Sequence, residues 1–218
     1  MAVSQKDTFN AEGINTPLEC IEWDDLWFQN ANDTDNKKRV LLIGDSISRA
    51  YRSFLNEMYN GKVFIDQLST SKALDNKHFK ALIDYALLQI DRDYDAIVFN
   101  NAAHGYHLEK DEYEKYYRET VSHVIKTNSN STVIISLGTP VRDKADLNKM
   151  SDAWYEKMLG RNDAAKKIAK EFNLEVNDLY SVAEHRSDIY WSDGVHFSDE
   201  GCTMLAKTTY NTLKKIGI

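Results

Sequence analysis

The sequence predicts an α/β protein, a five-stranded parallel sheet held between two layers of helices in a three-layer α/β/α sandwich. Three observations lead there. Short apolar runs alternate with amphipathic stretches from residue 38 onward. The runs are continuous rather than alternating, as strands buried on both faces read. The 218-residue chain is 42% hydrophobic with only 2 Pro, enough length and apolar content for one sizeable core.

The elements follow in order. Val40-Leu-Leu-Ile43 is a buried strand ending in Gly44, and residues 47–59 continue with Ile47, Tyr51, Leu55 and Met58 at helical spacing until Asn60-Gly61 stops them. Residues 62–66 are a second strand. Residues 77–90 are a helix with Phe79, Leu82, Ile83, Ala86, Leu87 and Ile90 on one face. Residues 95–100 and 132–137 are strands three and four, with a charged, tyrosine-rich helix over 109–127 between them. In that helix Tyr113, Tyr116 and Tyr117 read as a solvated face with one buried stripe. The spacing of Met150, Trp154 and Met158 predicts a helix over 147–172, broken near Gly160, with Trp154 in the core. Residues 174–176 are a short fifth strand and 198–215 the last helix. A βαβ series of this kind crosses over right-handedly and binds ligands beyond the carboxyl ends of its strands.

Residues 1–37 read as an N-terminal extension of a single domain over 38–218. Leu18, Ile21, Trp23, Leu26, Trp27 and Phe28 form an apolar cluster expected to dock as a short helix or irregular segment, and Asn30–Asn36 is a polar connector. With 27 Lys and Arg against 34 Asp and Glu, the net charge of −7 argues against a general nucleic-acid binder and against a polybasic membrane patch. No apolar run approaches the length of a membrane span and residues 1–20 lack a signal-peptide pattern, so the expected location is cytoplasmic; a secreted chain trimmed of its leader would read the same way. Cys20 and Cys202 are expected to be reduced thiols.

Two loops carry chemistry. Gly44-Asp45-Ser46 follows the first strand. A serine there lies at the sheet's carboxyl edge and at a helix N-terminus, where free N–H groups and the dipole favour negative charge. That suits a nucleophile whose product passes through an oxyanion; the tripeptide also reads as a plain N-cap. Before the last helix comes Asp193-Gly-Val-His196-Phe197-Ser198. Asp and His three apart in a turn can pair, fixing the imidazole tautomer and leaving Nε2 as a base. Ser198 then reads as the N-cap, with Phe197 and Cys202 placed for a hydrophobic staple.

Serine, aspartate and histidine in this order, at these edges, resemble the SGNH hydrolases, the GDSL-type esterase superfamily. The resemblance rests on the GDS block at Gly44–Ser46 and the DxxH block at Asp193–His196, and covers roughly residues 38–217. It implies a flavodoxin-like sheet, with Ser46 as nucleophile, His196 as base and then acid, and Asp193 as its orienter. It also implies an oxyanion hole built from the Ser46 backbone N–H, a glycine N–H after strand two and an asparagine side chain after strand three. This chain has no glycine at the second place; Gln67-Leu-Ser-Thr-Ser-Lys72 stands there, so Ser71 or Thr70 is the expected donor. At the third place stands Phe99-Asn100-Asn101-Ala-Ala-His104, with Asn101 the first choice and Asn100 the second. This variant resembles members grouped with carbohydrate esterases.

Around this site His104, Tyr106, Trp191 and Arg49 are candidate substrate contacts, Arg49 also reading as a partner of Asp45. His104 and His107 form an HxxH pair, but further ligands are not apparent, so neither metal nor other cofactor is expected; His107 reads as a loop histidine bonded to backbone. The expected activity is hydrolysis of short-chain O-esters, acetyl above all, of a carbohydrate or other small molecule. Longer-chain lipase or thioesterase activity, acyl transfer through the same triad, and a non-catalytic glycan-binding module are the alternatives.

Overall fold

The computed structural model describes residues 13–32 and 36–218; residues 1–12 of the extension and 33–35 of its connector lie outside the described residues. The central sheet contains β1 (Asp24–Trp27), β2 (Lys38–Gly44), β3 (Val63–Thr70), β4 (Ala96–Phe99), β5 (Thr132–Ser136) and, after the β6–β7 hairpin, β8 (Glu175–Asn177). Their spatial order is β1-β3-β2-β4-β5-β8, and all neighbours are parallel except β1, which runs antiparallel to β3.

The continuous apolar runs are explained by burial on both faces. Leu41, Ile43, Ile97, Phe99, Val133 and Ile135 point to one side, packing with α2 (Lys77–Leu88), α3 (Lys110–Thr127) and α4 (Tyr155–Glu171). The alternate residues Val40, Leu42, Val98 and Ile134 point to the other, with α1 (Ser46–Tyr59), α5 (Leu179–Ala183) and α6 (Asp199–Lys215). This is the three-layer arrangement expected from the pattern, and its five parallel strands are the five read from the sequence. Asn60 ends α1 in the left-handed region at φ 48°. Ser198 caps α6, and Phe197 and Cys202 share one core cluster, as the staple requires.

Three expectations are corrected. The apolar N-terminal cluster includes a strand, not a helix: Asp24, Asp25, Leu26 and Trp27 pair with Thr70, Ser69, Leu68 and Gln67. That pairing carries β3 four residues beyond its expected end, because the backbone of residues 67–69 has a partner on each side and Thr70 pairs with Asp24. The helix expected from 147 begins only at Tyr155 and passes Gly160 unbroken. Before it lies a hairpin of β6 (Arg142–Asp143) and β7 (Asp146–Met150). The side chains of Asp143 and Asp146 accept from the backbone N–H groups of Ala145 and Asn148, a local bonding that favours turns over helix.

Toward the amino edge of the sheet, Arg39 and Asp66 form a buried ion pair, with Nη1 2.9 Å from both carboxylate oxygens. Arg39 also donates to the carbonyls of Gln29 and Asn30, and Asp66 accepts from the Gln29 N–H and the Tyr94 hydroxyl. Burial pushes the Asp66 carboxyl up, against the pull of Arg39 and these donors. Arg39→Ala should therefore cost about 3–5 kcal/mol in urea unfolding, because a buried carboxylate is left uncompensated, whereas a paired apolar replacement, Arg39→Met with Asp66→Leu, should recover most of the loss.

Candidate active site

β2 ends at Gly44 and α1 begins at Ser46. A Cβ on Gly44 would lie 2.6 Å from Ser48 Oγ, so only glycine lets the turn close this tightly. Asp45, not Ser46, is the N-cap: its carboxylate accepts from the Ile47 N–H at 2.9 Å. Ser46 is thereby released from capping and takes the first helical position, where its own N–H has no acceptor within the helix.

Ser46 Oγ lies 2.8 Å from His196 Nε2, and His196 Nδ1 lies 2.8 Å from Asp193 Oδ2. Asp193 as a carboxylate can only accept, so Nδ1 carries the proton and Nε2 accepts from the Ser46 hydroxyl. Burial works to raise the Asp193 pKa, but the N–H groups of His196 and Val195 and the imidazole itself outweigh it and hold the carboxyl below its ordinary range. Asp193 and His196 are about half exposed, 51% and 45%. Their geometry is set by the loop. Gly194, at φ 73°, passes so close to Arg142 that a Cβ would sit 2.4 Å from its carbonyl oxygen, and its own carbonyl accepts from the Arg142 N–H at 2.7 Å. The hairpin thus braces the Asp193–His196 loop. The Trp191 N–H donates to the His196 carbonyl at 2.8 Å from the other side.

No family model and no curated relative matches the chain. Solved structures do. Est24, a carbohydrate acetylesterase from Sinorhizobium meliloti, superposes with TM-score 0.66 at 15% identity over 83% of this chain and 100% of that one. A GDSL-like lipase from Bacteroides thetaiotaomicron gives 0.65 at 16% identity over 84% and 91%. The lipase/acylhydrolase from Enterococcus faecalis gives 0.64 at 14% identity over 82% and 96%. The chain has the SGNH hydrolase fold. Among the described residues no helix is long and apolar enough to cross a membrane.

On this SGNH scaffold the other expected site residues divide. Ser46, His196, His104, Tyr106 and His107 share the walls of a cavity of about 560 Å³ with Ala103 and Trp154. Trp154 is therefore a wall residue, in edge contact with Tyr106 at 5.1 Å, rather than core alone. Ser71 does not serve as expected: its N–H donates to the Trp23 carbonyl at 3.1 Å and its hydroxyl bonds the same segment. The Thr70 hydroxyl is held by Asp24, and neither residue borders the cavity. Asn101 is buried, its amide donating to the Lys72 carbonyl at 2.9 Å. Asn100 donates to the Ser136 carbonyl and borders a smaller cavity of about 30 Å³. Trp191 is exposed and stands outside the larger cavity. Arg49 approaches Asp25, not Asp45, and lies over the Trp23 ring. His107 bonds the Asp75 carboxylate rather than backbone.

Two residues that sequence reasoning missed organise the loop after β4. Arg161, buried in α4, donates to the carbonyls of Ala102 and His104 at 2.7 Å and of Gly105 at 2.6 Å. Glu19 accepts from the Gly105 N–H and pairs with His104 Nδ1 at 2.9 Å. No local sequence signal links either to that loop; only the tertiary fold brings them there. Among the described residues no group of three or more His, Cys, Asp or Glu side chains is placed to hold a metal ion.

Burial alone would lower the His104 pKa, but the Glu19 hydrogen bond and the charges of Asp45, Glu19 and Glu22 raise it. For Glu19, burial is outweighed by His104, the Gly105 N–H and Arg161, and the pKa falls. The stability this pair adds is complete between the two groups' titrations. It is lost as pH rises through the raised His104 pKa and as pH falls through the lowered Glu19 pKa. The His104 ring proton should titrate above ~6.5 by NMR, and Glu19→Gln should bring the midpoint down.

Proposed function

We propose that this protein is a serine esterase that removes a short acyl group, acetyl above all, from a hydroxyl of a carbohydrate or similar small molecule. The observation that carries the reading is the continuous chain from Ser46 Oγ to His196 Nε2 and from His196 Nδ1 to Asp193, each step 2.8 Å. A hydroxyl hydrogen-bonded to an oriented imidazole is an activated nucleophile.

In this reading Ser46 Oγ attacks the ester carbonyl and its proton moves to His196 Nε2. The carbonyl π electrons move to oxygen, giving a tetrahedral oxyanion beside the Ser46 N–H. The oxyanion collapses, the bond to the alkoxy oxygen breaks, and His196 returns the proton to the leaving alcohol. Water, deprotonated by the same imidazole, then attacks the acyl-enzyme; its proton restores Ser46 and the acid departs. The side-chain amides of Asn100 and Asn101 each give one N–H to a carbonyl, of Ser136 and of Lys72, and Asn100 is the preferred oxyanion donor because it alone borders a cavity.

A small acyl group is supported by the smaller cavity. It shares Ala103, Val141 and Val195 with the catalytic cavity and is further lined by Met158 and Leu179. Its 30 Å³ holds roughly two water-sized groups. An acetyl group fits there and an octanoyl chain does not, which supports short acyl groups over the lipase-like alternative. The sugar is supported by the Tyr106 and Trp154 rings beside the nucleophile, and Est24 bears the description carbohydrate acetylesterase.

Ser46→Ala should lower kcat on p-nitrophenyl acetate by ~10⁴-fold or more, and Asn100→Ala by about 10²–10³-fold. Acetate should be preferred over butyrate and octanoate. Protonated His196 cannot take the Ser46 proton, so activity should be lost in acid. Wild-type hydrolysis that survives Ser46→Ala, or a preference for octanoate, would refute the assignment.

A further inference from the structure

The geometry points to the segment just before β1 as the leaving-group wall of this active site, selecting esters of bulky, uncharged, ring-bearing alcohols; this rests on the esterase reading above. Strand direction is the first argument. Asp24 pairs with Thr70, at the carboxyl end of β3, and Trp27 with Gln67. An antiparallel strand in that register must deliver the residues that precede it to the sheet's carboxyl edge, where Ser46 stands.

The second argument is the cavity itself. Pro17, Leu18, Glu19 and Cys20 line it together with Ser46 and His196. With this wall in place the space measures about 560 Å³, within the range of small-molecule sites, and a two-carbon alcohol would leave most of it empty. Its lining mixes apolar surface (Pro17, Leu18), the Tyr106 and Trp154 rings, and the imidazoles of His104 and His107. A sugar ring offers the matching surfaces: an apolar face for the aromatics and hydroxyls for the polar groups.

The third argument is fixation. The segment is bonded at several points to the body of the protein. Glu19 takes the His104 and Gly105 bonds, the Trp23 N–H donates to Ser71 Oγ at 2.9 Å, the Ser71 N–H returns to the Trp23 carbonyl, and the Arg49 guanidinium lies 4.8 Å from the Trp23 ring centre. A wall meant to select by shape needs such fixation, because a loose one adapts to any alcohol. Est24 is matched over its full length by 83% of this chain, so this chain carries residues beyond the shared fold.

Cys20 is a built-in reporter. It is exposed and lines the cavity, whereas the other thiol, Cys202, is buried. In full-length Ser46→Ala protein, which holds ester without turning it over, 6-O-acetylglucose should slow alkylation of Cys20 by iodoacetamide at least ~5-fold, and ethyl acetate should not. Adding Glu19→Gln should remove most of that protection. In the otherwise wild-type enzyme, Glu19→Gln and Leu18→Ala should raise KM for 6-O-acetylglucose at least ~10-fold more than KM for ethyl acetate, with kcat moving less than KM. Leu18 is exposed, so its variant tests the wall without burdening the core. Equal losses on both esters would mean a merely structural segment and overturn the proposal. So would an unprotected Cys20 in a protein whose wild type hydrolyses 6-O-acetylglucose through Ser46. Protection of Cys20 alongside a wild type that hydrolyses neither ester would show that the segment binds the sugar ester but overturn the esterase reading and with it the leaving-group role, whereas equal losses on both esters would overturn the wall alone, so the two failures are distinguishable.

Discussion

The buried pair of Arg39 and Asp66 anchors more of this molecule than its place far from Ser46 suggests. It joins β2 to β3, takes the Tyr94 hydroxyl from the turn before β4, and holds the carbonyls of Gln29 and Asn30 just after β1. β1 is only four residues long and its burial is partial. A strand that short has little pairing energy of its own, so a fixed point at one end matters to its register. Fixing residues 29 and 30 toward the amino edge determines, through four residues of antiparallel pairing, what reaches the catalytic edge.

At the catalytic edge the organisation is of another kind. The residues proposed to carry the chemistry are half exposed, and an exposed imidazole–carboxylate pair contributes little stability. Precision there comes from backbone held by backbone and by buried cations. Arg142 joins the β6–β7 hairpin to Gly194, and Arg161 gathers three carbonyls of the loop after β4. Among the described residues no carboxylate directly contacts Arg161; the carbonyl dipoles, with the nearby field of Glu19, stand in for one. A buried guanidinium with its N–H groups spread over a loop fixes that loop in one shape, which a flexible lysine would not.

Much of this was legible in the sequence. The parallel strands announce themselves because burial on both faces leaves unbroken apolar runs, and Gly44–Ser46 and Asp193–His196, which the fold brings together, stand out because residues that suit those turns are also ones that can form a hydrogen-bonded Ser–His–Asp chain. The failures share a cause. β1 was hidden because an edge strand beginning Asp24-Asp25 carries no alternation to detect. The end of β7 reads as the start of a helix at 147 because Met150, Trp154 and Met158 fall at helical spacing, while the aspartate side chains that turn the chain act through local hydrogen bonds that periodicity does not register. Ser71 looked available as an oxyanion donor only because the segment that occupies its N–H lies some fifty positions away in the chain. Long-range polar contacts, more than packing, separate the sequence's account of the site from the folded one.

β1 has one more consequence, for how the molecule behaves in company. Without it, β3 would end the sheet, and β3 is eight residues long, entirely buried and rich in apolar side chains. Bare, such an edge would present a long row of unpaired N–H and C=O groups to any other chain. β1 covers the carboxyl half of that row and replaces it with a border of four residues, two of them aspartates, and the opposite border, β8, is three residues long. Short, charged borders resist the strand-to-strand association that turns sheets into aggregates, so the short strand before residue 28 also leaves the sheet little open edge to offer another chain.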